Sequence, residues 1–412
     1  MRKTTFKFIP LLTALCSVIL FMRCADSEPP PEIKLDAASN FTLIDHGNQG
    51  NSLDLYVNFT PPATSEHISS VDLILVKAGQ TAPDPELLEA LGPDERFSFS
   101  PGSSEVAQRI DLAFNDFNGQ PVETGQDYDA YLYTRPNGNA IGALSEKTTV
   151  RLEDEPYYEV STYLKVPGIE AISFYPDGNY IMGPGASNSL YKIDLDNGTQ
   201  SVFATGLAVP YGGGFNQKNG DFYISNFQNG EIWKFEKEGE RVLAASGLKG
   251  PTGMVVDEDG NVFINNYYTS SISKLDTEGE LSDFSHNNPH IKGPDGLVIA
   301  DGELYCINFD NPKVMKVSAN GEVSLFTTLP GAETGYIDYA HNQFYVASIS
   351  QRRIYAIDKN GEHRVIAGSG LASTKDGPAA LAGFMKPNGI AVVENVIYVS
   401  DEGTLRAITR HE

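Results

Sequence analysis

Gly293-Pro294-Asp295-Gly296 is the fourth of six related tetrapeptides in the C-terminal part of this chain. The others are Gly168-Ile169-Glu170-Ala171, Val209-Pro210-Tyr211-Gly212, Gly250-Pro251-Thr252-Gly253, Ala332-Glu333-Thr334-Gly335 and Lys386-Pro387-Asn388-Gly389. Their third residues lie 41, 41, 43, 39 and 54 positions apart. A period near 40 with strand-like content predicts an array of small repeated sheets, either radial or stacked.

Each repeat contains two tight-turn pairs. The first strands are separated by Asp177-Gly178, Asn219-Gly220, Asp259-Gly260 and Asp301-Gly302, and the last by Asn197-Gly198, Glu238-Gly239, Glu278-Gly279, Asn320-Gly321 and Asn360-Gly361. Such pairs supply the positive φ values that two-residue hairpins need. The residues between them are rich in Tyr, Ile, Val and Phe, as in Phe222-Tyr-Ile-Ser225. Each repeat is therefore predicted to be a four-stranded antiparallel blade.

The last repeat ends after three strands, and its fourth strand is predicted at the other end of the domain. Residues 159–168 match residues 322–331, a predicted fourth strand, at half of their positions. Closing the ring with this segment removes an open strand edge. We therefore expect an all-β chain in which residues 157–412 form a six-bladed β-propeller, with blade six completed by residues 157–166.

A long Gly-rich insertion precedes the last tetrapeptide. Residues 365–391 resemble the NHL-repeat signature, and Ile397-Tyr-Val-Ser-Asp401 resembles the NHL strand that ends in Asp. The senescence-marker and gluconolactonase family is similar in architecture. This resemblance implies a propeller. It does not specify the activity, because the same fold carries binding scaffolds, lyases and hydrolases.

The chain opens with a basic head and an apolar run. Arg2, Lys3 and Lys7 precede the run from Phe8 to Met22, which is too short for a spanning helix and is typical of a signal peptide, predicted over residues 1–23. Cys24 follows, and this arrangement resembles a bacterial lipoprotein signal. The resemblance implies lipidation of Cys24 and an outer-membrane anchor. The alternative is a secretory signal without an anchor.

Residues 24–32 are predicted to form a lipidated spacer. Ala25-Asp26-Ser27-Glu28 resembles the acidic tag of surface-exposed lipoproteins, and Pro29-Pro30-Pro31 favours a stiff, extended chain. The sequence therefore predicts that the protein is exported and that it contacts the membrane only through its lipid anchor. The acidic tag predicts that the anchored protein can face the outside of the cell.

The composition excludes several classes of partner. Without Arg2, Lys3, Lys7 and Arg23 the chain has 26 basic and 54 acidic residues, a net charge of −28. Such a charge argues against nucleic acid and against anionic lipid as binding partners. Beyond Cys16 and Cys24, Cys306 has no second cysteine with which to form a disulfide, so the core must stabilise the fold.

Residues 33–153 are predicted to form a small β-sandwich. About seven strands alternate with Pro, Gly and Asn turns, among them Leu53–Phe59, Val71–Val76, Tyr128–Tyr133 and Thr148–Leu152. The unit resembles a fibronectin type III domain, in which Tyr128 or Tyr131 would be the tyrosine corner. Its expected role is to hold the propeller away from the membrane.

The third residues of the six tetrapeptides are expected to line one mouth of the channel. They are Glu170, Tyr211, Thr252, Asp295, Thr334 and Asn388. Blades one and four lie opposite each other, so Glu170 faces Asp295, with Asn388 next to Glu170. The oxygen atoms of Glu170, Asp295 and Asn388 suit Ca²⁺ or another divalent cation. The alternative is a channel that holds ordered water.

Resemblance to gluconolactonases implies a catalytic reading of the same mouth. That family takes one carboxylate from the first blade and one from the fourth, which Glu170 and Asp295 match. It takes asparagines from the second and third blades, where this chain has Tyr211 and Thr252. The metal would polarise a lactone or ester carbonyl, with Asp295 or a bound water as base. His286 and His290 lie on the preceding loop, and His290 is a second candidate base.

A second set of residues follows the second strands of three blades. Asn226-Phe227, Asn266-Tyr267-Tyr268 and Asn308-Phe309 recur there, with Ser348 and Asp401 at the matching position of blades five and six. The polar residues are expected to tie neighbouring loops together. Together with Tyr211, the aromatics Phe227, Tyr267 and Phe309 are predicted to bind a ligand, because clustered exposed rings often mark a contact surface.

Three functions remain open from the sequence. The leading one is a cell-envelope lipoprotein whose channel face binds a small molecule, a glycan or a protein, with or without a divalent cation. The second is a calcium-dependent lactonase or esterase. The third is a structural envelope module. The chain contains no Gly-x-Ser-x-Gly, P-loop, HExxH or CxxC motif.

Overall fold

The computed structural model describes residues 32–47, 51–64, 66–153, 156–236, 240–285 and 288–411. The predicted signal peptide, Cys24, the Pro29-Pro30-Pro31 spacer, His286 and the Glu238-Gly239 turn lie outside the described residues. Within those ranges, no helix is both long enough and apolar enough to cross a lipid bilayer.

The N-terminal unit consists of eight strands in two sheets. These are β1 Ser39–Asp45, β2 Leu55–Thr60, β3 Ile68–Lys77, β4 Phe97–Phe99, β5 Val106–Arg109, β6 Asp127–Pro136, β7 Ala143–Leu144 and β8 Thr148–Arg151. One sheet has the order β1-β2-β5, and the other has the order β4-β3-β6-β7 with β8 paired to β6. Leu53 and Asp54 lie in a short 3-10 turn, Ser52–Asp54, and not in the predicted strand.

Alternation of side chains explains how these sheets pack. Leu55, Val57 and Phe59 of β2 point into the core between the sheets. Strand β3 is buried on both faces because a short helix, α1 Pro85–Glu89, covers its outer side with Leu88. The Tyr128 hydroxyl accepts a hydrogen bond from the backbone N–H of Glu123 at 3.1 Å.

Five four-stranded antiparallel sheets follow, each in chain order. Blade one contains β10 Ser173–Tyr175, β11 Tyr180–Gly185, β12 Ser189–Asp194 and β13 Thr199–Ala204, and blade two contains β14 Pro210–Phe215, β15 Phe222–Asn226, β16 Glu231–Phe235 and β17 Arg241–Ser246. Blade three contains β18 Pro251–Val256, β19 Val262–Asn266, β20 Ser271–Leu275 and β21 Leu281–Asp283, and blade four contains β22 Pro294–Ala300, β23 Glu303–Asn308, β24 Lys313–Val317 and β25 Val323–Thr328. Blade five contains β26 Ile337–Ala340, β27 Gln343–Ser348, β28 Arg353–Ile357 and β29 His363–Ala367. The remaining short 3-10 turns are Pro93–Glu95, Pro176–Gly178 and Ala186–Asn188. An all-β chain with a six-bladed propeller behind a small sandwich, as predicted, is thus confirmed.

Among the described residues, the turn glycines have the expected backbone conformation with one exception. Gly198, Gly220 and Gly260 are among those with positive φ, at 60°, 82° and 95°. Gly178 is not, because its turn forms the 3-10 segment Pro176–Gly178, and Asn179 takes the left-handed conformation at φ 43°. Asn is one of the few residues that tolerate this conformation.

Blade six joins the two ends of the propeller. Its strands are β9 Tyr157–Lys165, β30 Gly377–Pro378, β31 Pro387–Val393, β32 Val396–Asp401 and β33 Thr404–His411, in the order β30-β9-β33-β32-β31. Strand β9 pairs antiparallel with β33 from Tyr157↔His411 to Lys165↔Thr404. The chain therefore closes its ring with a strand from the start of the domain.

The Gly-rich insertion covers the outer edge of this closing strand, a feature the sequence did not predict. Gly377 pairs with Val160 of β9, and Asp376 accepts hydrogen bonds from the backbone and hydroxyl of Thr162, both at 3.1 Å. Arg406 of β33 is fully buried and donates to Asp376 at 2.6 Å and to the Gly383 carbonyl at 2.9 Å. A buried guanidinium is stable only when such partners satisfy it, so Arg406 ties the insertion to the seam.

The closing strand allows a matched stability test. Val160 is buried between β33 and β30, whereas its neighbour Ser161 is exposed. We expect Val160→Asp to lower the free energy of unfolding by about 3 kcal/mol or more, because it buries an unpaired charge. Ser161→Asp should change it by less than about 0.5 kcal/mol.

Thermal and urea unfolding, followed by circular dichroism, would measure both variants. Equal effects of the two substitutions would contradict the assignment of β9 to the interior of blade six.

Candidate ligand-binding site at the channel mouth

A β-bulge presents the third residue of the tetrapeptide in four blades. In blade four, Pro294 pairs with Asn308 and Leu297 pairs with Cys306, so Asp295 and Gly296 lie opposite one residue. The same irregularity occurs after Pro210, Pro251 and Pro387. Bulges reorient side chains, so one sequence pattern places Tyr211, Thr252, Asp295 and Asn388 at the same end of their inner strands.

The glycine after the third residue allows the blades to approach each other. A Cβ atom on Gly253 would lie 2.1 Å from the Asp295 carbonyl oxygen, and one on Gly389 would lie 2.3 Å from the Glu170 carbonyl oxygen. Real side chains do not tolerate such distances. In five of the six tetrapeptides, all except the one that ends in Ala171, the fourth residue is glycine, because the backbone of the next blade occupies the space of a side chain.

The acid pair, Glu170 and Asp295, meets Asn388 at this mouth. Asn388 donates from Nδ2 to Glu170 Oε2 at 2.5 Å, while its own Oδ1 has no hydrogen-bond partner among the described residues. Asp295 is 1% exposed, and neither of its carboxylate oxygens accepts a hydrogen bond of good geometry from them. The structure therefore brings together the three residues predicted to hold a cation.

The environment of Asp295 disfavours its charged form. Burial, followed by the negative charge of Glu170, raises the pKa of the Asp295 carboxyl to about 8, and the Tyr336 hydroxyl and the more distant Lys386 ammonium oppose the shift only in part. With no cation bound, this shift favours the protonated carboxyl near neutral pH. It can then act as a base only if a positive charge first stabilises its ionised form.

The two threonines of the ring have a structural role. Thr252 donates its hydroxyl to the Pro294 carbonyl at 2.8 Å, and Thr334 donates to the Asn308 carbonyl at 2.8 Å. Both side chains are buried and join neighbouring blades. Thr252 occupies the blade-three position at which the gluconolactonase resemblance implies a metal-binding asparagine.

Two tyrosines lie next to the acid pair. The negative charge of Asp295, burial and the charge of Glu170 together raise the pKa of the Tyr211 phenol. Burial first, and then Asp295, raises the pKa of the buried Tyr336, whose hydroxyl has no hydrogen bond of good geometry among the described residues. Sequence reasoning missed Tyr336. Tyr336 lies two residues after Thr334, and the equivalent position of the other five blades holds glycine, methionine or an aliphatic residue.

The predicted aromatic residues form a continuous surface, here called the aromatic wall. Ring centroids are 5.7 Å apart for Tyr211 and Phe227, 6.3 Å for Phe227 and Tyr267, and 6.4 Å for Tyr267 and Phe309. Tyr268 belongs to the same wall, 5.3 Å from Phe227, and is 68% exposed. Tyr267 donates its hydroxyl to Asp310 at 2.8 Å, which with burial raises the pKa of Tyr267 to about 12.

The polar residues at the ends of the second strands tie loops together. Asn226, Asn266 and Asn308 each accept a backbone N–H through Oδ1, from Ala208, Lys249 and Lys292 at 3.0, 3.3 and 3.0 Å. Asp401 does the same with the backbone N–H groups of Met385 and Lys386. In blade five, Ser350 and not Ser348 accepts such bonds, from Ala332 and Glu333.

His290 does not join the ring in this structure. It is exposed, and its recorded hydrogen bonds involve only its backbone, with Asn288 and Asn308. Nor do the described residues contain a group of three or more His, Cys, Asp or Glu side chains suited to a metal ion. Any cation at this mouth would rely on Glu170, Asp295 and the Asn388 amide oxygen.

A cavity of about 400 Å³ opens at the other end of the inner strands. Its lining includes Met254, Leu297, Ile337, Ile390 and the ring of Tyr336. Asp257, Glu258 and Asp338 also line it, so this mouth is mixed in polarity. Tyr336 thus lies between the acid pair at one end of the channel and the open volume at the other.

The acid pair predicts how stability depends on pH. Since the pKa of Asp295 is about 8 when folded and 3.8 ordinarily, the folded state keeps a proton that the unfolded state releases between these values. Stability contributed by Asp295 is therefore present below pH 3.8 and is lost as the pH rises to about 8. We expect Asp295→Asn to stabilise the protein by several kcal/mol at pH 8 and little at pH 4.

Urea unfolding in EDTA at both pH values would measure this difference, with Glu258→Gln, an exposed acid at the opposite mouth, as the control. A stability gain from Asp295→Asn that is the same at both pH values would contradict it.

Comparisons with known proteins place this fold among familiar propellers. Residues 176–286 match the family model of the SMP-30/gluconolactonase/LRE-like region. A 72-residue stretch is 33% identical to NHL repeat-containing protein 2 of Bos taurus, which covers 18% of this chain and 10% of that protein. The match thus spans about a tenth of the relative's length.

Two of the similar solved structures cover more than nine-tenths of the chain, and a third covers a smaller part. An auxiliary nutrient binding protein from Bacteroides thetaiotaomicron VPI-5482 is 14% identical, with a TM-score of 0.57 over 93% of this chain and 99% of that one. One from Bacteroides ovatus ATCC 8483 is 15% identical, with a TM-score of 0.55 over 91% and 99%. A gluconolactonase from Xanthomonas campestris is 12% identical, with a TM-score of 0.51 over 61% and 89%. The protein is therefore a β-propeller that contains an SMP-30/gluconolactonase/LRE-like segment and resembles NHL-repeat proteins.

Proposed function

We propose that this protein is an exported binding protein, anchored through a lipid on Cys24, whose propeller binds its ligand at the channel mouth against the aromatic wall. The continuous run of rings from Tyr211 to Phe309 is the observation that carries this proposal. Rings that lie side by side and partly exposed at a channel mouth offer flat apolar area to a ligand. The N-terminal sandwich, resembling a fibronectin type III unit, would hold the propeller away from the membrane.

Strain beside the wall supports a functional surface. Val209 has φ 52° and is 40% exposed, whereas Gly168, Gly250 and Gly293 take positive φ at the equivalent positions. A β-branched residue in this conformation is an outlier, and such strain concentrates at functional sites. Val209 lies two residues before Tyr211 and adds apolar surface at the same mouth.

The architecture also supports uptake of a nutrient. Two solved structures that are similar over nearly the whole chain are auxiliary nutrient binding proteins. For the present chain we propose the same class of task, with a small molecule or glycan as ligand and the outer membrane as location. A strongly acidic surface keeps such an exported protein soluble and repels nucleic acid.

The wall predicts which substitutions abolish binding. A thermal-shift screen of sugars, oligosaccharides, amino acids and vitamins would find ligands, and isothermal titration would measure their affinity. We expect Phe227→Ala and Tyr267→Ala each to weaken binding at least tenfold, about 1.4 kcal/mol, because each removes stacking area.

Phe203→Ala is the matched control, since Phe203 is an exposed ring on the outer strand β13 of blade one. Ligand affinity that is unchanged in both wall variants would refute binding at this mouth.

The second candidate function is a calcium-dependent lactonase or esterase. Two observations favour it: the family match over residues 176–286 and the position of Glu170 near enough to Asp295 for its charge to raise the pKa of that carboxyl. Glu170, Asp295 and Asn388 would hold the ion, which would supply polarisation of the substrate carbonyl. The Thr252 hydroxyl is already used by the Pro294 carbonyl, which leaves three protein side chains for a cation that prefers six to eight oxygens.

A hydrolysis assay separates the two candidates. Because so few ligands remain for calcium, we expect no turnover of δ-gluconolactone or phenyl acetate above the uncatalysed rate. This should hold both without Ca²⁺ and with about 5 mM Ca²⁺, a concentration that saturates weak sites. Hydrolysis that needs Ca²⁺ and disappears in both Glu170→Gln and Asp295→Asn would instead establish the lactonase.

A further inference from the structure

We propose that the ligand carries an ammonium group, which enters the channel mouth between the acid pair and the aromatic wall. This inference rests on the proposed binding function and adds the chemical class of the ligand. It stands on three independent features of the mouth: unsatisfied acceptors, missing positive charge and adjacent rings.

The mouth offers acceptors without matching donors. Both carboxylate oxygens of Asp295 and the Oδ1 atom of Asn388 are buried and lack hydrogen-bond partners among the described residues. Asp295 is 1% exposed and Asn388 is 4% exposed, so bulk water does not satisfy them. An unpaired buried acceptor costs about 1–3 kcal/mol, and more when it is charged. A ligand group that donates several hydrogen bonds would relieve this cost.

The mouth also lacks a balancing cation. No ion pair formed by the described Lys, Arg and His side chains includes Glu170 or Asp295. Lys386 acts on Asp295 only at a distance, and its own side chain is exposed. A neutral ligand leaves Asp295 in its protonated form, whereas an ammonium group supplies a positive charge that favours the ionised carboxylate and donors that bind it.

Rings next to the acid pair distinguish an organic cation from a metal ion. Equivalent bulges place Tyr211 and Asp295 at the same end of their inner strands, and the Tyr211 ring lies 5.7 Å from Phe227, so the pair and the wall share one mouth. An ammonium group within about 6 Å of a ring centroid is attracted to the ring face. Calcium would not use these rings, and Thr252 and Thr334 do not offer it free hydroxyls.

Isothermal titration with paired probes tests the proposal. Phenethylamine is compared with 2-phenylethanol, and choline with 3,3-dimethyl-1-butanol, which has the same shape without the charge. We expect each ammonium probe to bind at least tenfold more tightly than its neutral partner. Equal affinities within both pairs, or no binding of either ammonium probe, would overturn the proposal.

Variants locate the binding. Asp295→Asn and Glu170→Gln should each weaken choline at least tenfold, whereas Glu258→Gln at the opposite mouth should leave it unchanged. Lys386→Met should tighten choline binding several-fold, because it removes a competing positive charge. Melting curves of each variant verify folding, and the two acid-pair variants serve as independent tests. Equal choline affinity in the wild type and both folded acid-pair variants would overturn the proposal.

Two further arms separate failure of this inference from failure of the proposed function. Stoichiometric Ca²⁺ binding that excludes choline would make the acid pair a metal site and overturn the ammonium proposal. If the ammonium probes fail but a screened neutral nutrient binds and is lost in Tyr267→Ala, only the ammonium inference falls. If neither Phe227→Ala nor Tyr267→Ala changes the affinity for any ligand, both the ammonium inference and the proposed binding at this mouth are wrong.

Discussion

Pairing between β9 and β33 closes the ring of blades, and the geometry of the channel depends on that closure. Six inner strands can converge on one axis only if the first and last blades are held together. The seam is reinforced by the fully buried Arg406, which bonds to Asp376 and to the Gly383 carbonyl and lies 5.2 Å from the Phe384 ring centroid. The insertion that carries Asp376 also covers the outer edge of β9, so the joint leaves little unpaired backbone.

Within the closed ring, a repeated bulge and a repeated glycine convert distance along the chain into proximity. Each bulge places the third residue of the motif at the same end of its inner strand. The glycine after it has no side chain, so the backbone of the next blade can lie where a Cβ atom would otherwise be. Glu170 and Asn388 are 218 positions apart yet share a hydrogen bond. The same construction that packs the blades therefore also collects polar side chains around the axis.

The mouth combines a buried acid, which is unfavourable without a partner, with nearby aromatic surface. Burial makes the ionised Asp295 costly, and Glu170 increases that cost, while the rings from Tyr211 to Phe309 offer apolar area nearby. A protein selected only for stability would replace such an acid, since unpaired buried charges destabilise a fold. Retention of an unsatisfied carboxylate beside aromatic surface is more easily understood if a ligand completes the site. At the opposite mouth the buried acid Asp338 is already satisfied, because it accepts backbone hydrogen bonds from Tyr339 and Val392 at 2.8 and 2.7 Å.

The sequence by itself determined the fold class, the blade count and the ring of third residues, because recurring turn pairs and a spacing near 40 residues impose a similar local register on each repeat. It also identified the aromatic residues, since they follow equivalent strand ends. Only the tertiary structure decided the partners of those side chains: Thr252 and Thr334 donate to backbone carbonyls of adjacent segments, Tyr336 approaches Asp295, and Arg406 is enclosed by the insertion. These contacts join residues from different blades or loops, and repeat periodicity carries no information about which side chain fills a space between them.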